Sequence, residues 1–405
     1  MDQSAARKKN TPPAEPAAAP KLQTPKVVVQ DQGLPDLPFF LLTVLLVIIG
    51  LVVLFSASYP RAYAETDGAN GAFYFVRQLF FALPGLVIMW VVSRVNYEWL
   101  RPFAGWIMLG SLVLLVLVLL IGSEGGGGQR WLYLGFFSFQ PSEVVKAAIV
   151  IYFAVRIVKL GDKMQTFRYG FLHYVLILGV VAVLMLLEPH LSGTIIILGT
   201  GVAMMFLGGT RLRYFALVLA LGAGAVLLIQ LLVPGGVSEL LMSYAQDRIM
   251  AWRDPEAYAS DEGYQIVQSL YAIGSGGLMG LGLGKSRQKY LYLPEEHNDY
   301  IFSIVCEELG FVGAVLVLVL FAMLIIRGYW IALHAKSRFG SLLAAGFTTL
   351  LAIQVFLNIG VVTNFLPATG ITLPFFSYGG TALLLNLAEM GVILGVSRQK
   401  KSVLE

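Results

Sequence analysis

The sequence predicts an all-α integral membrane protein of about ten transmembrane helices, and three observations predict it. The 405 residues are 57% hydrophobic and only 13% charged, with a mean hydropathy of +0.76, a balance that excludes a water-soluble globular domain of this size. Apolar runs long enough to cross roughly 30 Å of hydrocarbon recur along the chain. The Lys and Arg residues between those runs fall on one side when the runs alternate, which fixes an orientation.

In chain order the runs are Leu37 to Ser58, Phe75 to Val95, Phe103 to Ile121, Pro141 to Val158, Phe171 to Leu187, Ser192 to Gly209, Tyr214 to Val233, Tyr300 to Ile326, Leu342 to Phe365 and Ser377 to Val396. Residues 1–36 are rich in Pro, Ala, Lys and Gln and read as a disordered cytoplasmic tail, not a cleaved signal peptide. Residues 37–396 form the transmembrane domain, and 397–405 a short cytoplasmic tail. Arg94 and Arg101, Arg156 to Arg168, Arg211 and Arg213, Arg327 to Arg338, and Arg398 to Lys401 share one face, so both termini are expected in the cytoplasm. The large loop 234–298 then lies outside, with the segments around Arg130, His190 and Pro367. Cys306 is the only cysteine, which leaves no internal disulfide and no thiolate metal cluster.

The polar residues of an apolar chain mark where function is to be sought. Between the third and fourth runs, four glycines, Gly125 to Gly128, lead through Arg130 and Trp131 to Gln140-Pro141 and a helix start. Pro141 suits the first helical turn, and Glu143 is favoured there by the helix dipole. Glu143 and Lys146, three apart, share a face just inside the membrane. Two readings stand for them: a mutual ion pair that tolerates burial, or a pair lining an outward cavity. Arg130 either holds a phosphate or anchors with Trp131 at the interface. Glu188 and His190 follow the fifth run, where Pro189 ends the helix.

The long outer loop is too large for a plain connector. Val237 to Trp252, with Asp247, Arg248 and Arg253 among apolar residues, predicts a helix along the interface. The glycines from Gly274 to Gly284 permit close backbone approach and positive φ. The GLGKS within them is no Walker loop, because the position five before Gly284 is Met279. Lys285, Arg287 and Lys289 are candidates to neutralise an anionic group, with surface basicity expected for at least two of them. The loop ends in LPEEHNDYIFSIVCEEL, Leu293 to Leu309, where Glu295, Glu296, His297 and Asp299 stand at the mouth of a span and Glu307 and Glu308 fall inside it. Glu295 and Glu296 are expected to be solvated, Glu307 and Glu308 to be paired, and His297 to orient Asp299 or cap the helix; Asn298 and Asp299 are themselves good N-caps. Between the last two runs, NFLPATGITLPFFSYGG reads as irregular backbone dipping into the outer membrane, tolerated where it lines a cavity; Ser377, Tyr378 and Gly379 are its candidate contacts.

Taken together, FSAS, FYFVRQ, RWL with QPSEVVK, EPHLSGT, GYQIVQSLYAIGSGGLMGLGLGKSRQK, LPEEHNDYIFSIVCEELG and LPATGITLPFFSYGG, in that order, resemble the SEDS family of bacterial cell-wall polymerases over nearly the whole chain after the tail. The wording around Leu270 to Lys289 resembles the FtsW and SpoVE branch, which serves division or spore septa, more than the RodA branch, which serves elongation. The resemblance implies a glycosyltransferase that joins lipid II into peptidoglycan strands on the outer face of the cytoplasmic membrane. It implies Asp299, the Asp of the family's H-x-D-[FY] motif, as the essential carboxylate, and maps the Q-P-x-E-x-x-K element onto Gln140, Pro141, Glu143 and Lys146. One position departs: relatives often carry Asp after the Glu-Pro or Gln-Pro, where this chain has His190, Leu191 and Ser192, so that Asp's role does not carry over. The implied partners are lipid II, a single-pass class B penicillin-binding protein and other divisome or sporulation membrane proteins, and no nucleic acid.

The chemistry fits these residues. Polymerisation needs the 4-hydroxyl of an acceptor GlcNAc to attack C1 of a donor MurNAc carrying undecaprenyl pyrophosphate. An α-linked donor giving a β-linked product is a single inverting displacement, which needs one base and a stabilised leaving group. Asp299 is the candidate base. Arg130, Lys146, Arg248 and the basic run Lys285 to Lys289 are the cations available to the pyrophosphate, with a divalent ion, Mg or Mn, as a further candidate. A lipid II flippase or transporter and a membrane scaffold for the penicillin-binding protein are the rival readings.

Overall fold

A computed structural model describes residues 33–124, 129–133, 138–218, 220, 223, 245–260 and 263–399. The N-terminal tail to Gln32, most of the run Tyr214 to Val233, and the loop from 234 to 244 lie outside the described residues. Helices dominate: α1 Leu37–Glu65, α2 Phe73–Arg94, α3 Leu100–Ile121, α4 Pro141–Leu160, α5 His173–Leu187, α6 Leu191–Leu207, α7 Ala245–Arg253, α8 Tyr264–Ser275, α9 Ile301–Leu333, α10 Arg338–Val362 and α11 Gly380–Arg398. Seven stretches are long and apolar enough to cross a membrane, namely α1, α2, Tyr97–Ile121 around α3, Arg168–Leu187 ending in α5, α9, α10 and α11. α6 is a shorter apolar helix of this kind. α4 carries Glu143, Lys146, Arg156 and Lys159.

The layers follow from burial. In the most apolar stretch of α10, 72% of residues are buried in protein, and 61% in α11, against 22–39% in the other five spans. α10 and α11 therefore stand at the centre, with α4 beside them, its Val145, Ala148, Ile149, Phe153 and Ala154 fully buried. α1, α2, α3, α5 and α9 turn large apolar faces outward, as a lipid-facing rim requires. Where the sequence reads a loop between the third and fourth runs, three short antiparallel strands form instead: β1 Ser123–Glu124, β2 Gln129–Tyr133 and β3 Ser138–Phe139, in the order β1-β2-β3. β2 places Arg130 against the turn between α5 and α6. The helix start at Pro141 falls where the sequence puts it, with Glu143 in its first turn.

Two departures from the sequence reading shape the site. α1 runs on past Ser58 to Glu65, carrying Arg61 beyond the apolar run. The run Tyr300 to Ile326 is not one continuous helix, because α9 is broken at Gly310, where φ is 69° and ψ −169°. The loop after α8 stitches the break: the Leu281 and Gly282 N–H groups donate to the Glu307 and Glu308 carbonyls at 3.0 Å, and the Phe311 and Val312 N–H groups donate to the Gly277 and Leu278 carbonyls at 2.9 and 3.1 Å. Backbone groups freed inside a span are thereby paired. Only glycine fits, since a Cβ on Gly310 would lie 2.2 Å from the Gly280 nitrogen and one on Gly280 2.2 Å from the Glu308 oxygen.

Candidate active site

Asp299 sits in the short segment before α9, and each peptide around it is held. The Tyr378 N–H donates to the His297 carbonyl at 2.9 Å, Ser377 Oγ donates to the Asn298 carbonyl at 2.7 Å, and Asn358 Nδ2 donates to the Asp299 carbonyl at 2.8 Å. The same Asn358 amide reaches the Ile371 carbonyl, so α10 ties this segment to the irregular stretch before α11. Gln78 on α2 closes the other side: its Nε2 donates to the Ser377 carbonyl at 3.2 Å and its Oε1 accepts from the Gly379 N–H at 3.1 Å. Ser377 and Tyr378 thus hold the acidic segment by hydroxyl and backbone, and Gln78 fixes them through the Ser377 carbonyl and the Gly379 N–H.

The Asp299 carboxylate itself accepts no hydrogen bond among the described residues. It is half-buried, facing Gly370, where an added Cβ would approach Asp299 Oδ2 to 3.0 Å. Burial, and then the Glu295 charge, push its pKa up to about 7, against the pull of His297 and Arg130. A carboxylate that is rigid at its backbone and unsatisfied at its oxygens is set to take a proton at neutral pH.

Arg130 donates to the Glu188 carbonyl at 3.4 Å and to the Pro189 carbonyl, and its charge reaches Asp299. Burial pushes Glu188 up to about 8 in spite of Arg130, and burial, Arg130 and Lys146 push His190 down to about 3. Both are neutral at pH 7, with Glu188 Oε1 and His190 Nδ1 buried and unpartnered. Lys146 Nζ lies 2.7 Å from Glu143 Oε2, both side chains almost fully buried, and Glu389 on α11 is buried beside this pair. Arg248 on α7 donates to the Ala368 carbonyl at 3.3 Å, and Trp252 Nε1 donates to the Asn364 carbonyl at 3.1 Å, so α7 lies on the segment between α10 and α11.

The structure brings together Asp299, His297, Ser377 and Tyr378, with Arg130 close enough to act on Asp299 and Arg248 on Tyr300, Gly379 held by Gln78, and Lys146, paired with Glu143, near His190. It places two of the predicted residues elsewhere. Lys285 is exposed. Lys289 is buried, its Nζ donating to Glu308 Oε1 at 2.8 Å and to Ser56 Oγ at 3.0 Å, so its charge is already neutralised within the protein. The expectation that Glu296 is solvated is likewise corrected: Glu296 is fully buried because Arg61 Nε and Nη2 each donate to it at 2.8 Å. His297 does not pair with Asp299 through its ring; Nδ1 lies 3.6 Å from Glu296 Oε1 with no hydrogen-bond partner, and the ring packs 4.6 Å from Tyr74. Sequence reasoning missed Gln78, Asn358, Glu389 and Arg61. A buried amide or acid within an apolar run was the available signal for the first three.

The fold and site define a polytopic helical membrane protein with polar side chains gathered before α9, among them an Asp299 carboxylate that accepts no hydrogen bond among the described residues. The chain belongs to the cell cycle protein family of FtsW, RodA and SpoVE, whose model matches residues 36–402. It is 41% identical over 370 residues to the probable peptidoglycan glycosyltransferase FtsW of Geobacter sulfurreducens, covering 90% of this chain and 96% of that protein. It is 40% identical over 369 residues to stage V sporulation protein E of Bacillus subtilis, covering 91% and 98%. Among solved structures it is similar to a chain from a study of the structural coordination of polymerization and crosslinking by a peptidoglycan synthase complex, with TM-score 0.74, 27% identity and coverage of 91% and 99%. It is also similar to the rod shape determining protein RodA of Thermus thermophilus, with TM-score 0.65, 28% identity and coverage of 91% and 98%.

Proposed function

We propose that this protein is a peptidoglycan glycosyltransferase that polymerises lipid II, with Asp299 as the general base. The observation that carries the reading is the Asp299 carboxylate, raised to about 7 and without a hydrogen-bond donor. The acceptor 4-hydroxyl loses its proton to Asp299 as its oxygen bonds to C1 of the donor, and the C1–O bond to undecaprenyl pyrophosphate breaks with inversion. A base so placed contributes about 10² to 10⁴ in rate. Arg130, with Arg248 at the edge, offers positive charge to the leaving pyrophosphate, whereas the Lys146 charge is met by Glu143. Glu188 and His190, both neutral, lie close to Arg130 without adding charge. A divalent ion would take most of its ligands from the pyrophosphate and water, since among the described residues no three of His, Cys, Asp and Glu gather as a metal site.

The orientation that serves this reaction has ten spans, with α4, α6 and the run Tyr214 to Val233 completing the seven, both termini in the cytoplasm and Asp299 facing outward. The side preference of Lys and Arg supports it. The kinship with a chain studied in a polymerising and crosslinking complex supports a class B penicillin-binding protein as partner, and similarity to both FtsW and stage V sporulation protein E supports a role in division or in the spore septum. The test is purified protein, with and without such a partner, given labelled lipid II and resolved by gel. Wild type is expected to form glycan strands and Asp299→Ala none; strands from the variant would overturn the reading. Lipid scrambling in vesicles without strand formation would assign the chain to transport.

A further inference from the structure

The LPEEHND segment is held from three sides, and one of its holds comes from an element with no part in the reaction. α1 is tied to α9 and its approach at three depths. At its start Asp36 accepts from Arg327 Nε and Nη2 at 3.0 and 2.8 Å; farther along Ser56 donates to Glu308 at 2.7 Å; near its C-terminal end Arg61 grips Glu296 through two parallel bonds of 2.8 Å. The first two ties join helix to helix. The third joins α1 to the irregular segment three residues before Asp299, across 235 positions of sequence.

This pair has the character of a fixed clamp. Glu296 has no exposed surface, and Arg61 is 22% exposed at its side chain. Burial alone would raise the Glu296 carboxyl, but the Arg61 guanidinium, with His297 beside it, holds it below its usual value, so it stays ionised. Glu65, one turn on, adds a second carboxylate 3.9 Å from Arg61. The fork geometry of an arginine–carboxylate pair fixes direction as well as distance. Glu296 in turn sets His297, whose ring is confined by Tyr74 and Tyr378 at 4.6 and 5.9 Å. From His297 the backbone leads in two residues to Asp299, whose side chain has no donor of its own to hold it.

We propose that Arg61 and Glu296 are a positioning pair, through which the C-terminal end of α1 sets the placement and the partial dehydration of the Asp299 carboxylate. The inference rests on Asp299 as the base. The groups that face Asp299 are Glu295 and His297 on its own segment, Arg130 on β2 and Tyr300 just before α9, with Arg248 on α7 beyond Tyr300; the pair acts on it through the segment and not by direct charge. Loss of the clamp lets the segment loosen and water reach the carboxylate, which moves its pKa down toward the ordinary aspartate range as its placement degrades.

The test compares Arg61→Ala, Arg61→Lys and Glu296→Gln with wild type in the lipid II assay across pH 5 to 9, with folding checked by thermal unfolding in detergent. Arg61→Ala is expected to lower kcat at least tenfold, to change KM for lipid II less than threefold, and to move the acid limb of the rate profile to lower pH. Guanidinium at millimolar concentration is expected to restore part of kcat to Arg61→Ala, where equal sodium chloride restores none. A pair that only stabilises the fold would lower activity with the folded fraction and leave the acid limb in place, and that result overturns the proposal, as does full activity in folded Arg61→Ala. If Asp299→Asn keeps wild-type rates, the base assignment fails instead, and the two failures are told apart.

Discussion

Asp299 and the pair Glu307–Glu308 lie within ten residues of each other, all withdrawn from solvent to some degree, and they differ in what meets their oxygens. Glu307 accepts from Ser286 Oγ and from the Arg287 N–H at 2.8 Å. Glu308 accepts from Lys289 Nζ at 2.8 Å and Ser56 Oγ at 2.7 Å. The Asp299 carboxylate accepts from nothing among the described residues. The lesson is that a buried acid with a full set of donors fastens architecture, here the broken α9 at Gly310, whereas one held only by its backbone is available for chemistry.

The comparison breaks most sharply by substitution. Asp299→Asn removes the base and is expected to cut the rate of glycan formation about 10²-fold or more, with the fold intact, as read by gel and thermal unfolding. Lys289→Ala leaves the Glu308 charge buried without its cation and is expected to cost about 3–5 kcal/mol of stability, with activity falling only as folded protein is lost. Gly310→Ala forces a side chain into a backbone contact at φ 69°, and a fall in the unfolding temperature of the purified protein is the expected readout.

A pH series sharpens it further. Asp299 has a folded pKa of about 7, above its ordinary value, so the folded state binds its proton more tightly than the unfolded state, and the ionised form is what folding disfavours. Stability from this group is full below the unfolded value and is lost as pH rises toward 7. Asp299→Asn is therefore expected to gain in unfolding temperature relative to wild type from pH 4 to pH 8, while Lys289→Ala loses at both. Lys285→Ala, at an exposed position, gives the smallest effect, within about 0.5 kcal/mol and with no loss of strand formation.

Much of this was legible in the residues. Periodic apolar runs place the spans, Pro141 and Glu143 mark a helix start, and the glycines after Gly274 announce a backbone that must approach closely. What stayed hidden depends on partners far off in the chain. Glu296 looks like a loop charge until α1 extends to bring Arg61 to it, and Lys289 looks like a surface cation until Ser56 and Glu308 enclose it. The break at Gly310 carries no local signal beyond one glycine in an apolar helix; it exists because the loop at 277–282 supplies the donors and acceptors that the helix gives up. The sheet of β1 to β3 was hidden by shortness, with two strands of two residues each. Asp299, a cap by its local residues and the candidate base only by the family resemblance, gained a physical distinction when its carboxylate proved to have no hydrogen-bond partner among the described residues.

The most direct test of the central claim is the single-turnover rate of glycan bond formation against pH for wild type and Asp299→Asn in equally folded protein. The wild-type rate is expected to rise with pH through about 7 as Asp299 ionises, and the Asn variant to run flat and at least about 10²-fold lower. A variant that retains the wild-type rise would contradict the assignment of Asp299 as the base.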